Sequence, residues 1–469
     1  MNYVGEIRNF ANWQGCIKNV GRIHVVIKMD KKKTIYFPIE HTHRELKSKV
    51  YLASLLADHG YRCYLGSGAE IMRVLRFQKN SLLFHKSTCV DYVQSVKKRN
   101  HKIVFMDEEL GFAVPKKGLD ETVEWRYQTC NEGDYELSFA ISERVSNLIN
   151  NATNGKLKTM PTGWPRFDLL IPSTRRHTEQ TVRNKVLLLS SFGRITESTY
   201  NELLKQPSGD EHYTNKHRWK LFNCYIESIP IIAELLKKQG LHLVIRPHPS
   251  ESHSAWKRHI SGIENTTIDT HTDLADSFAD ICFAINPGST SAVQAALVGI
   301  PSICLPYEEE EGLTDTPVFW ISKMAFDEKD LVEKGVQAAK QDGDEIRRHA
   351  LSLLTTEISN LNNRGAAQAI INEIAKIDFS NESRFYATQL DVLLAAIRFH
   401  ASYWLSLINN IIGLQLLQRF NYKWEKRPNG ICSGDVNEII KELQTCGILK
   451  AHGYHVDTVV KDIILIEGN

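Results

Sequence analysis

The 469-residue sequence has no run of about twenty uncharged apolar residues, so no spanning helix is expected. Its opening, MNYVGEIRNFANWQG, lacks the basic start and apolar run of a secretory leader, and none is expected. The nine cysteines stand singly, with no Cys-x-x-Cys pair. An odd number scattered through a long chain argues against a disulfide framework or a zinc ribbon and predicts reduced thiols in the cytoplasm. The formal charge is only +2. A chain without excess charge of one sign is not a general nucleic-acid binder. Neither a GxxxxGK[ST] phosphate loop nor a GxSxG elbow occurs. Internal repeats and low-complexity segments are absent too.

What is present is strand–helix alternation, in a chain too long for one core. Residues 34–39 read as a buried strand. After them Leu46, Val50, Leu52, Leu55 and Leu56 recur at helical spacing as far as Gly60, a helix stop. YRCYLG, SLLFHKS and HKIVFMD supply three more strands, and another runs into Gly163. The second half repeats the pattern. KVLLLSSFG and LHLVIRPHP are strands with a helix between them. ADICFAINPGSTSAVQAALVGIPSICLP reads as strand, turn, helix, turn and strand. The alternation predicts an α/β protein of two Rossmann-like domains facing a cleft. The expected divisions are an N-terminal extension (1–32), a first domain (33–175), a second domain (176–375) and a helical C-terminal region (376–469). Ligand groups in open parallel sheets come from the carboxyl ends of strands, so the loops after residues 39, 106, 190, 245 and 285 should line the cleft.

All five of those loops carry candidate residues. VIRPHPSES places Arg246, His248 and Glu251 after a strand, with Pro247 and Pro249 restricting the backbone around the histidine. Arginine offers phosphate a fork of donors, and histidine handles a proton near neutral pH. A solvated proline-rich turn would look the same. NPGSTSAVQAAL turns at Gly288 and opens a helix with Ser289, Thr290 and Ser291. Hydroxyls beside free helix N–H groups make a phosphate seat, or one of them simply caps the helix. VFMDEELGF sets Asp107, Glu108 and Glu109 at a strand end. There an acid can serve as general base or as nucleophile on a sugar carbon, or the three form an ordinary acidic loop. PIEHTHREL brings Glu40, His41, His43 and Arg44 together. A metal reading lacks a second ligand cluster, and Arg44 suits an anionic substrate better. SSFGR is the equivalent loop of the second half, so Ser191, Gly193 and Arg194 are ligand candidates too. GSGAE (66–70) holds only part of a dinucleotide fingerprint, and QDGDE reads as a helix start with Asp344 near the cap.

Taken as a set, these motifs resemble a family. RPHPSE, followed about forty residues later by NPGSTS, resembles the His-Pro and Ser/Thr motifs of bacterial sialyl- and polysialyltransferases, which use CMP-activated acidic sugars. Those enzymes have the two-domain glycosyltransferase-B fold. DEELG is similar to their Asp/Glu-Asp/Glu-Gly motif, with an extra glutamate and leucine before the glycine. That departure leaves open which acid is catalytic. IYFPIE, NHKIVFMDEELGF and TGWPRFDLL resemble bacterial surface carbohydrate biosynthesis proteins related to the beta-Kdo transferases. The resemblance spans residues 33–375.

It implies a metal-independent glycosyltransferase of capsule or lipopolysaccharide biosynthesis, without a cofactor. The enzyme would move Kdo or another nonulosonate from a CMP donor to a glycan or lipid-linked acceptor. His248 would contact the donor phosphate and assist its departure. Arg246, Glu251, Gly288, Ser289, Thr290, Ser291, Ser191 and Gly193 would lie on the donor side. Asp107 or Glu108 would act on the sugar, with Glu40, Arg44 and Glu109 near the substrate. Retention or inversion stays open. Two other classes also fit: a CDP-glycerol or CDP-ribitol phosphotransferase of teichoic-acid type, and a non-catalytic assembly protein of the same fold.

The tail lies outside the resemblance. Within 390–427, Leu405, Ile408, Ile412 and Leu416 form one apolar stripe, accompanied by Tyr403, Trp404, Phe420, Tyr422 and Trp424 and by Arg398, Arg419, Lys423, Lys426 and Arg427. Such a stripe packs across the domains, joins subunits of a homo-oligomer, or lies on the inner membrane face as a peripheral contact.

Overall fold

The computed structural model describes residues 32–86, 88, 90–108, 110–111, 116–170, 183–193, 210–249, 251, 253–271, 273–306, 315–379, 394, 397–398, 401 and 430–468. It holds two sheets. Six parallel strands of the first come from the first half: β1 (Thr34–Ile39), β2 (Arg62–Ser67), β3 (Leu82–His85), β4 (Lys102–Met106), β5 (Leu137–Ala140) and β6 (Thr159–Pro161). Six parallel strands form the second: β7 (Lys185–Leu189), β8 (His242–Arg246), β9 (Thr266–Ile268), β10 (Ile281–Asn286), β11 (Ser302–Cys304) and β12 (Ser322–Met324). All six residues of β1, β2 and β10 are buried. Parallel strands covered on both faces read as continuous apolar runs, which is why they were visible in the sequence. The α/β class and the two Rossmann-like sheets are therefore present.

Strand order places the ligand positions. The parallel part of the first sheet runs β2-β1-β3-β4-β5-β6, and the second sheet runs β12-β11-β10-β7-β8-β9. Chain direction across each sheet reverses at one point, between β1 and β3 in the first and between β7 and β10 in the second. In doubly wound sheets a crevice opens at that point, at the carboxyl ends of the strands.

Two divisions expected from the sequence are corrected. Region 376–469 is not wholly helical. It contains the Ser433–Thr445 helix and then a hairpin, β13 (Tyr454–Val460) and β14 (Ile463–Gly468). β14 pairs antiparallel with β2, so the first sheet has eight strands and the chain's end is one of its edges. The buried Arg62 Nε donates to Glu467 Oε1 at 2.6 Å across this seam. A Cβ at Gly66 would stand 2.6 Å from the Asp462 carbonyl oxygen, so only glycine lets the hairpin approach. The second domain also ends before residue 375. Ser359 N–H donates to the Ile141 carbonyl at 2.8 Å, and the Asp168 carboxylate caps the Ala366–Ile374 helix through the Ala367 N–H at 2.9 Å. The chain thus returns to the first half from about residue 359.

Within the described residues, no helix is long and apolar enough to cross a membrane. The apolar stripe of 390–427 lies almost entirely outside the described residues. Arg398, which is described, binds Glu70 through two bonds of 2.9 and 3.2 Å.

Candidate functional site

At the switch point of the first sheet lies a pocket of about 270 Å³. Arg44 enters it from the loop after β1, Lys86 and Thr88 from the loop after β3, and Asp107 and Glu108 from the end of β4. The Lys116–Tyr127 helix adds Trp125, Arg126 and Tyr127. Two loops predicted from different stretches of sequence, those after β1 and β4, thus meet here with the loop after β3.

Charges here are paired. Arg126 donates to Asp107 Oδ2 at 2.6 Å. Lys49 donates to Glu108 Oε1 at 3.3 Å and lies 4.7 Å from the Phe84 ring centroid. Burial alone would push the Glu108 carboxyl up, but Lys49, Arg166 and Arg44 outweigh it and hold it below its ordinary value. Glu45 accepts from the Glu40 N–H at 2.9 Å, and burial pushes its carboxyl up against the opposing effect of Lys86. Lys86 pairs closely with Glu40. Glu40 is therefore a partner of Lys86 at the rim, and Arg44 lies 3.5 Å from Glu45. Glu109 falls outside the described residues.

The second switch point is built from neutral donors. Glu251, expected on the donor side, is buried beneath the strand-end loops. Its carboxylate accepts from Phe192 N–H at 2.7 Å, Gly193 N–H at 3.1 Å, His248 N–H at 3.1 Å and Trp256 Nε1 at 2.7 Å, and also from the Ser190 hydroxyl. Burial pushes its pKa up to about 7 although these donors pull it down. One carboxylate thus ties the loop after β7 to the loop after β8. Its role is to position Gly193 and His248, a contribution the motif alone did not reveal.

Arg246 is also committed within the protein. Its guanidinium donates to Asp269, to the Ser277 hydroxyl at 2.6 Å and to the His271 carbonyl at 3.1 Å. All three bonds engage Nη1, and through them the buried Asp269 has its cation. Gly288 turns at φ +97°, where a side chain would strain the backbone, and its N–H donates to Asn286 Oδ1 at 3.0 Å. Ser289 is buried, and its Oγ accepts from Ser291 N–H at 3.4 Å. Thr290 stands at the N-cap of the short Ser291–Leu297 helix without capping it through its side chain. Ser191 is partly buried in the loop after β7, and Arg194 lies outside the described residues. QDGDE does begin a helix: Asp342 caps it, and Asp344 lies beside the cap in the first turn.

The segment 41–47 links the two halves. Arg44 lines the pocket, His43 is close enough to help depress the His253 imidazole after burial, and Lys47 lies 3.9 Å from Asp276. Lys47 also binds Glu442 of the C-terminal helix at 2.9 Å.

Lys49, Lys86, Thr88, Trp125, Arg126, Tyr127 and Arg166 escaped the sequence analysis. Lys49 carried a signal: it stands three residues after Leu46 and three before Leu52, inside an apolar stripe. No comparable signal marks Arg126, whose place in a last helical turn suits any cation.

No protein-family model matches the chain, and no curated protein matches it significantly. Solved structures give distant likenesses. The wall teichoic acid polymerase TagF is 14% identical with a TM-score of 0.47, over 79% of this chain and 96% of that one. A UDP-GlcNAc 2-epimerase from Methanocaldococcus jannaschii, bound to UDP-GlcNAc and UDP, is 12% identical with a TM-score of 0.44, over 73% and 99% of the chains. The Neisseria meningitidis UDP-GlcNAc 2-epimerase is 12% identical with a TM-score of 0.42, over 74% and 100%. Likenesses at this level bear on neither substrate nor reaction.

Proposed function

We propose that the chain is a metal-independent glycosyltransferase of bacterial surface-polymer synthesis, moving an acidic sugar from a CMP donor to a glycan or lipid-linked acceptor. The observation that carries the reading is the meeting of Asp107 and Glu108 with Arg44 in the pocket at the first switch point. In this reading the second switch point offers the donor phosphate the His248 side chain and the 288–291 loop. Its leaving charge is taken by those groups and by backbone dipoles fixed in advance. Asp107 acts on the sugar side. Glu108 is tied to the buried Lys49 and holds that cation in place. The anomeric carbon exchanges its bond to the phosphate oxygen for one to the acceptor hydroxyl oxygen. That hydroxyl's proton is taken up by a carboxylate of the pocket, and CMP leaves with His248 supplying a hydrogen bond or proton to the departing oxygen.

A second reading has one observation in its favour. His43 of the first half stands near His253 of the second, so imidazoles gather where the halves meet. A phosphotransferase using CDP-glycerol or CDP-ribitol would employ such groups. Both reactions release CMP, so the donor separates them. The test supplies CMP-Kdo, CMP-N-acetylneuraminate, CDP-glycerol and CDP-ribitol in turn and measures CMP release with a mixed glycan acceptor. Turnover with a CMP-sugar supports the first reading, and turnover with a CDP-alcohol alone replaces it by the second. Binding of no cytidine nucleotide would leave an assembly protein.

A further inference from the structure

The pocket contains a flat apolar surface that the proposed chemistry does not use. Trp125 is 71% exposed and lines the pocket beside the Arg126–Asp107 pair. A lone exposed aromatic on a protein surface needs no explanation. An exposed indole that walls a cavity dense in hydrogen-bonding groups is a different case.

We infer that this pocket holds one neutral hexopyranose unit of the acceptor, stacked on Trp125. The inference rests on the transferase reading for the word acceptor, and on the pocket alone for the sugar. Three features select this ligand class. The first is charge balance. Asp107 faces Arg126, Glu108 faces Lys49, Lys86 faces Glu40 and Arg44 lies 3.5 Å from Glu45, so every charged lining group already has an opposite partner and an anion entering here would compete with a carboxylate for its cation. The second is hydrogen-bond variety. Guanidinium and ammonium groups donate, carboxylates accept and the Thr88 hydroxyl does both, which matches ring hydroxyls that also do both. The third is the indole. Its electron-rich face attracts the polarised C–H groups on one side of a pyranose, and it loses little conformational freedom in doing so. The pocket's volume of about 270 Å³ lies just under the ~300–1,000 Å³ of drug-sized ligand sites and suits a single ring.

The test is saturation-transfer NMR on the full chain with four probes: methyl β-glucopyranoside, methyl β-galactopyranoside, methyl N-acetyl-β-glucosaminide and glucuronate. CMP is present in each tube as an internal control. Wild type, Trp125→Ala and Trp125→Phe are compared. At least one neutral glycoside is expected to receive saturation on its ring protons. Trp125→Ala should weaken its binding about tenfold, Trp125→Phe should retain most of it, and the CMP signal should be equal in all three proteins. Glycoside binding that depends on Trp125 without any CMP signal would keep the sugar subsite and remove the transferase reading. Binding of glucuronate alone, or of neutral glycosides equally to all three proteins, overturns the inference. So does the absence of any glycoside signal in a wild type that binds CMP.

Discussion

The two halves share one type of sheet but organise their strand ends by different forces. In the first half, buried opposite charges do the work: Lys49 with Glu108 beneath the pocket and Arg62 with Glu467 at the seam with the hairpin. In the second half, apart from the Arg246–Asp269 pair, neutral groups bind the strand ends together. Glu251 gathers five donors, and Asn286 binds Ser302 and Ser322 while holding the Gly288 N–H. The difference teaches that the same topology can preset an ionic pocket or a frame of backbone amides. The first suits chemistry on a sugar, and the second suits a phosphate that arrives with its own charge.

The comparison is broken most strongly on the ionic side. Glu467→Gln removes the carboxylate that compensates the buried Arg62 guanidinium, at an expected cost of about 3–5 kcal/mol. Denaturant unfolding should show the loss, and hydrogen exchange should concentrate it in the first sheet. An unchanged midpoint would mean that the hairpin is an ornament and the first sheet is complete without it. The same seam bears on any membrane test of the tail. A chain cut near residue 380 would lose β13 and β14 along with the apolar stripe, so an internal deletion is the fair comparison.

Glu251→Ala is next, at about 3 kcal/mol, because five donors lose one acceptor. Hydrogen exchange should rise at 190–193 and 248–251 and leave the 107–108 loop unchanged. Acid sharpens the contrast. The folded pKa of Glu251, about 7, lies above its ordinary 4.5, so its contribution is full below about pH 4.5 and is lost as pH rises through 7. The stability of wild type relative to Glu251→Gln should therefore fall between pH 5 and pH 8. A difference that grows with pH would contradict the buried site.

Much of this was legible in advance, for a local reason. Strands buried on both faces are apolar runs, and strand ends carry turn residues, so β1, β4, β7, β8 and β10 and the loops after them could be read directly. What was missed depends on distance along the chain. Glu251 meets Ser190 from 61 residues away, and Arg62 meets Glu467 across 405. The hairpin stayed hidden because YHVDTVV alternates only in part and its partner β2 lies near the other end of the chain. β9 and β12 have three residues each, too few to show a pattern.

Smaller effects test the coupling between the halves. His248→Ala should lower turnover by about 100-fold without changing the unfolding midpoint, since its side chain belongs to a strand-end loop. Lys47→Met removes the link to Asp276 and Glu442 and should cost about 1 kcal/mol, because both partners are partly solvated. A much larger loss would show that neither half holds its shape alone.

In the proposed reaction the ionic pocket acts on the sugar and the amide-framed loops hold the nucleotide. Asp107→Asn divides these roles most directly. Calorimetric CMP affinity and CMP release from a CMP-sugar are measured on the same preparation of wild type and variant. Equal CMP affinity and a turnover lower by about 10²–10⁴-fold are expected of the variant. Full turnover in the variant, or a CMP affinity that falls as far as the turnover, would contradict that division.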